Sequence, residues 1–198
     1  MSSILSIRHE LYRKGIHLTS TMFPISLWYF GSDIIFPITV FLAILSIIID
    51  YGRMNYKPII KLFDFLFGKI IRSHEKSHYT GATWFLIGTT IVIGCFDLIP
   101  AIAGLVFLTI GDSFAAIIGK SFGRTKIQGK TLEGSLAFFL TSSFMIIFIP
   151  GLNIWIGIIT ALLVTFIELF SDSLKVNDNI LIPISSAFFI TIMTRLFL

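Results

Sequence analysis

The chain has 198 residues, of which 55% are hydrophobic and only 13% charged, with a formal net charge of +4 and a mean hydropathy of +0.92. These values exclude a soluble globular domain and describe a polytopic membrane protein. At about 20 residues per crossing, the length accommodates one all-α bundle of about seven transmembrane helices. Residues 1–198 then form a single integral membrane domain, and any active site must lie within the bundle. A lone cysteine, Cys95, rules out an intrachain disulfide.

At the N-terminus, Arg8, Arg13 and Lys14 precede an apolar run with no small-residue cleavage site after it, so no removable signal peptide is expected. Glu10, Arg13, Lys14 and His17 share one face of a helix entering the first span. Apolar runs place spans at 16–31, 34–50, 83–97, 98–119, 134–150, 153–170 and 180–198. Asp50 and Arg53 close the second span. Residues 57–72 carry Lys57, Lys61, Asp64, Gly68 and Arg72 opposite Ile59, Ile60, Phe63, Phe67, Ile70 and Ile71. This pattern predicts an amphipathic helix in the membrane interface, read as an anchor in preference to a lid. The segments between spans alternate so that 14 of the 15 lysines and arginines fall on one side. The positive-inside rule makes that side cytoplasmic, with the N-terminus inside and the C-terminus outside.

His74-Glu75-Lys76-Ser77-His78 matches the H-E-x-x-H zinc-protease spacing, which sets two imidazoles on one helix face. With no third ligand and a lysine between the histidines, it reads as a charged surface turn. Thr80-Gly81-Ala82-Thr83 opens the third span. In the fourth, Gly111, Ala115 and Gly119 are four apart, which allows a neighbouring helix to approach closely. Asp112 lies in the same stretch. An ionised aspartate at the centre of a lone transmembrane helix costs roughly 2.5–3.5 kcal/mol, so it must be met by a cation, a metal or a hydrogen-bonded cavity. Asp112 is therefore a functional candidate.

The loop that follows sets Lys120, Arg124, Lys126 and Lys130 among Gly119, Gly123 and Gly129, then Thr131 and Glu133. Backbone donors and cations in such a loop suit several phosphate oxygens. Gly129-Lys130-Thr131 is not a Walker A motif, because Arg124 stands where its first glycine belongs. Glu168 and Asp172 close the sixth span, expected on one helical face. Asn177, Asp178 and Asn179 open the seventh, where Asp178 and Asn179 are also expected to cap the helix. Carboxylates with amide oxygens suit Mg²⁺. Lys175 between them reads as surface charge.

These segments resemble the family of CTP-dependent lipid kinases that includes dolichol, phytol and diacylglycerol kinases, distant kin of the CDP-diacylglycerol synthases. The most specific part is GDSFAAIIGKSFGRTKIQGKTLEGS, residues 111–135, which is similar to the family's nucleotide site. Glu10-x-x-Arg13-Lys14-x-x-His17, Thr80-Gly81-Ala82-Thr83 and the late acidic stretch 171–183 support it. Pro183 is followed by Ile184-Ser185-Ser186, without the Pro-Gly-His-Gly-Gly run usual in the synthases. Phosphatidate cytidylyl transfer is thus the second reading, ahead of a zinc protease or a non-catalytic scaffold.

The resemblance implies transfer of the γ-phosphoryl group of CTP to the hydroxyl of a membrane lipid alcohol at the cytoplasmic face, with no nucleic-acid partner. It implies that Asp112, Asp172 and Asp178 hold Mg²⁺. Lys120, Arg124, Lys126 and Lys130 would bind the triphosphate, helped by Gly119, Gly123, Gly129, Thr131 and Glu133, the last as an orienter of a lysine. Lys14, His17 and Asp50 would meet the lipid. His17, Asp50 and Glu168 remain open as the base, with His17 favoured. Dolichol-like polyprenol, phytol and diacylglycerol are all open as acceptors.

Overall fold

The structure, a computed structural model, describes residues 12–67, 75 and 77–197. Glu10, Arg72, His74 and Lys76 lie outside the described residues. A helix over residues 12–19, α1, is followed after a turn at 20–21 by α2, Met22–Phe30. The expected first span is thus two helices. Gly31, at φ +75°, turns the chain into α3, Ser32–Asn55, and α4 follows as Lys57–Phe67.

The third apolar run forms α5, Gly81–Cys95, whose N-terminus is capped by the Thr80 hydroxyl accepting from Thr83 N. Next, α6, Leu98–Val106, passes through one π turn, Phe107–Gly111, into α7, Asp112–Phe122. Together these make the most deeply buried of the long apolar helices. The basic loop contains a small antiparallel hairpin, β1 Lys126–Ile127 and β2 Lys130–Thr131, with Gln128 and Gly129 both at positive φ. No strand was expected there. Beyond it run α8, Leu132–Met145, capped by Thr131, and α9, Ile154–Leu169, capped by Asn153.

Phe170 leaves helical geometry, so Asp172 belongs to a separate short helix, α10, Ser171–Leu174. Glu168 and Asp172 therefore do not share one helix, contrary to their spacing. The last helix, α11, is Asp178–Phe197. Its N-terminal amide at Asn179 is taken by Asn177 Oδ1. This corrects the capping assignment and leaves the Asp178 carboxylate available for the site.

Three helices, Ser32–Asn55, Leu98–Phe122 and Asp178–Phe197, are long and apolar enough to cross a membrane, and Gly81–Cys95, Leu132–Phe148 and Ile154–Leu169 are shorter apolar ones. The core lies where α6 and the π turn meet α5, α8 and α11, with α9 packed against α8 and α11, around Leu105, Phe107, Leu108, Phe138, Val164 and Ile182. Close helix approach is set by glycine where the sequence expected it. A Cβ on Gly119 would fall 2.6 Å from Thr131 Oγ1, and one on Gly134 would fall 2.8 Å from the Ala115 carbonyl, so α7 and α8 cross nearly backbone to backbone. Pro183 inside α11 removes the bond that would occupy the Asn179 carbonyl. That oxygen sits in the space left by Gly88 of α5.

Candidate active site

One cavity of about 1850 Å³ opens at the end of the bundle that carries the basic loop. Asp112 lines it, buried at the first turn of α7 just after the π turn. A π turn inside an α-helix commonly marks a functional site, because it re-aims the residues that follow. Lys14 of α1 forms a buried ion pair with Asp112 Oδ2, so of the cation, metal or cavity that the sequence left open, a cation is present, brought from 98 residues away. His17, one turn further along α1, places Nε2 3.7 Å from the same oxygen and donates Nε2–H to the Leu108 carbonyl at 3.3 Å. That bond leaves Nδ1 as the acceptor nitrogen of the ring. No hydrogen bond reaches Asp112 Oδ1 among the described residues.

A second cluster forms around Lys130 at the end of the hairpin. Its Nζ donates to Glu168 Oε1 at 2.7 Å and to Asp178 Oδ2 at 2.8 Å. The Ser135 hydroxyl donates to the other Glu168 oxygen at 2.8 Å. Burial works against the ammonium, but the Asp178, Glu168 and Asp112 carboxylates outweigh it and hold the Lys130 pKa above the ordinary lysine value. Asp178 Oδ1 is buried without a hydrogen-bond partner among the described residues.

A third cluster fixes the opposite wall. Asp50 Oδ1 accepts from Arg53 Nε at 3.1 Å, and Oδ2 accepts from the Thr80 amide and hydroxyl and the Thr83 hydroxyl at 2.7–3.0 Å. Arg53 also donates to the His78 carbonyl and lies over the Phe63 ring. Asp50 and Arg53, which close the second span, are thus buried and tie α3 to the start of α5.

Of the basic-loop residues, Lys120, Lys126 and Lys130 reach the cavity wall, with Gly119, Gly123, Gly129 and Thr131 beside them. Arg124 is exposed and Glu133 is not on the wall. Glu133 accepts from the Thr125 amide at 3.1 Å, holding the loop to α8, and pairs with no lysine among the described residues. Bonding to its own amide, with further help from the neighbouring amides, lowers its pKa. Asp172 is exposed and lies against the hairpin turn, where a Cβ on Gly129 would fall 2.5 Å from its Oδ2. Among the described residues, no three His, Cys, Asp or Glu side chains gather as a preformed metal cluster.

Sequence reasoning missed Ser135, the Glu168 partner, and Lys175, which lines the cavity from an αL position at the end of α10. The αL backbone gave Lys175 no advance signal. Glu75 accepts from the Gly81 amide at 3.0 Å, so its carboxylate holds the turn before α5. Ile59, Leu62 and Phe63 place α4 on the cavity wall as well.

Membrane-length apolar helices surround buried lysine–carboxylate pairs and a glycine-rich cationic loop, an arrangement whose chemistry suits phosphate oxygens. No family model matches the chain, and no solved structure matches it. It is 35% identical over 185 residues to an uncharacterized protein of Methanocaldococcus jannaschii, covering 91% of this chain and 92% of that one. To the CTP-dependent diacylglycerol kinase 1 of Schizosaccharomyces pombe it is 27% identical, covering 92% of both chains. A segment of 88 residues, 40% of this chain and 17% of the other, is 42% identical to the dolichol kinase of Saccharomyces cerevisiae. Over most of its length for one and a shorter segment for the other, the chain is thus similar to proteins named as CTP-dependent diacylglycerol kinase and dolichol kinase.

Proposed function

We propose that this protein transfers the γ-phosphoryl group of CTP to the hydroxyl of a membrane lipid alcohol, working at the cytoplasmic end of a seven-span bundle. The observation that carries the reading is the convergence of two buried lysine–carboxylate clusters, Lys14–Asp112 and Lys130–Glu168–Asp178, on one cavity. Both clusters lie beside the glycine-rich basic loop. Phosphoryl transfer asks a protein mainly for positioning and for neutralisation of charge on the phosphate oxygens. Lys120, Lys126 and Lys130 supply the cations, and Glu168 and Asp178 fix Lys130 in direction. Arg124, outside the cavity wall, contributes at most long-range charge.

In the reaction, the lipid hydroxyl oxygen bonds to the γ-phosphorus as the bond from that phosphorus to the β–γ bridging oxygen breaks, and CDP leaves. The hydroxyl proton needs an acceptor. Asp50 and Glu168 have both oxygens engaged. That supports His17, whose Nδ1 is the free ring acceptor, as the base.

The residues fit Mg²⁺ as well. Asp178 Oδ1 is a buried carboxylate oxygen without a partner, and Asp112 Oδ1 is open. Mg²⁺ is held by one or two carboxylates together with waters and substrate phosphates, so a three-residue cluster is not required. Asp112 and Asp178 would hold the ion, with Asp172 at the rim, and it would neutralise charge on the nucleotide phosphates. The basic face supports the sidedness, and α1–α2, α3, α5, α6–α7, α8, α9 and α11 would supply the seven crossings.

The test crosses γ-labelled CTP and ATP with polyprenol, phytol and diacylglycerol, using purified protein in micelles. Labelled lipid is expected with CTP and Mg²⁺. Absence of labelled lipid in every combination would defeat the proposal.

A further inference from the structure

The cavity is not confined to the charged end of the bundle. Along α3 it runs from Asp50 through Ile49 and Ser46 to Leu42, eight residues and therefore roughly 12 Å at the α-helical rise. That reaches well into an apolar helix long enough to span a membrane. The facing wall climbs from Lys14 through Ser20 to Phe23. Helices α2 and α3 are joined at Gly31 but rest on different partners, α2 on α6 and α3 on α5. Phe23 of α2, Leu42 of α3 and Phe85 of α5 all line the cavity, which therefore extends between these helices.

Leu42, Ser46 and Ile49 recur at i, i+4 and i+7 and form one stripe of α3 along this cleft. Other faces of α3 expose Phe41, Ile44 and Ile48, as a lipid-facing helix does. Beyond the level of Asp50 and Lys14 the wall carries no charged side chain among the described residues. Ser20 and Ser46 keep it wide, and the Ser46 hydroxyl is turned back onto the Ala43 carbonyl. The two ends of the cavity are therefore chemically opposite. One is cationic and glycine-rich, the other apolar and at membrane depth, with His17 and Asp112 where they join. A polyphosphate has no partners in the apolar arm, whereas a hydrocarbon chain matches it.

We propose that the cleft between α1–α2 and α3 seats the hydrocarbon chain of the acceptor lipid, bringing its hydroxyl end to His17 and Asp112. This rests on the lipid kinase reading for the identity of the head group, but the seat itself is tested separately. Ser46→Trp and Leu42→Trp fill the cleft, and Ile44→Trp on the exposed face of α3 is the control. The first two should raise the KM for a long-chain acceptor at least tenfold while CTP binding, measured by thermal shift, stays within twofold. The control should change neither.

In the wild-type protein, a diacylglycerol carrying an alkyl diazirine in its chain should crosslink to residues of α1–α3 lining the cleft, and unlabelled diacylglycerol should compete. Crosslinks confined to another helix face, or an unchanged acceptor KM in both tryptophan variants, would overturn the seat. If the wild-type protein transfers no phosphate to any alcohol yet crosslinks in the cleft, the kinase reading fails and the lipid seat stands.

Discussion

Neutralising Asp112 should destabilise this protein, and removing Lys14 at the same time should restore it. The Lys14 and Asp112 side chains are only 8% and 11% exposed, so each is the other's principal counter-charge. Removing one partner of a buried pair typically costs about 3–5 kcal/mol, whereas replacing both by uncharged groups of similar size is close to neutral. Asn at position 112 still offers an amide oxygen to Lys14, which puts Asp112→Asn at the lower end, about 3 kcal/mol. For a chain of this length that corresponds to about 6–12 °C in the thermal midpoint. Lys14→Met should show a loss of similar size, and the double variant should return to within about 1 kcal/mol of the parent. The assay is intrinsic fluorescence on heating in detergent, run without nucleotide or Mg²⁺. Phosphoryl transfer should respond differently, since Asp112→Asn should lose at least about two orders of magnitude, roughly 2.7 kcal/mol, and the double variant should not regain it. An Asp112→Asn midpoint equal to or above that of the parent would refute the pairing argument.

Lys130, whose pKa is raised by its carboxylate partners, stabilises the fold fully below the ordinary lysine value and loses that contribution as pH rises through the higher folded value. The stability gap between the parent and Lys130→Met should therefore narrow only above about pH 10, and narrowing between about pH 8 and 9.5 would contradict the assignment. Gly129→Ala places a Cβ at φ +94° and 2.5 Å from Asp172 Oδ2, so it should cost about 1 kcal/mol or more and weaken CTP binding, as read by a titrated thermal shift. Ser121→Cys and Ser173→Cys, each in a Cys95→Ala background, should react with an impermeant maleimide only from the cytoplasmic side of oriented membranes. Labelling from the outer side would reverse the sidedness.

Much of the fold was legible because apolar runs and their flanking charges are local signals. What escaped depends on backbone geometry. The turn at residues 20–21, the π turn ahead of Asp112 and the break at Phe170 each move side chains to a new face. The break separates Glu168, which turns inward to Lys130, from Asp172, which stays exposed. Asp112 was visible from sequence because a carboxylate within a membrane-grade run needs a partner. Its partner was not, since Lys14 and Asp112 are brought together only by the packing of α1 against the α6–α7 helix. The hairpin that aims Lys130 and the αL residue that brings Lys175 to the wall likewise left no periodic trace.

In the proposed reaction the bond broken lies between the β and γ phosphates of CTP. Parallel incubations with γ-labelled and α-labelled CTP, each with the same lipid alcohol and Mg²⁺, address it directly. Label should enter the extracted lipid from the γ position only, with CDP as the nucleotide product. Label entering lipid from the α position on addition of phosphatidic acid, with release of pyrophosphate, would contradict it and identify a cytidylyltransferase.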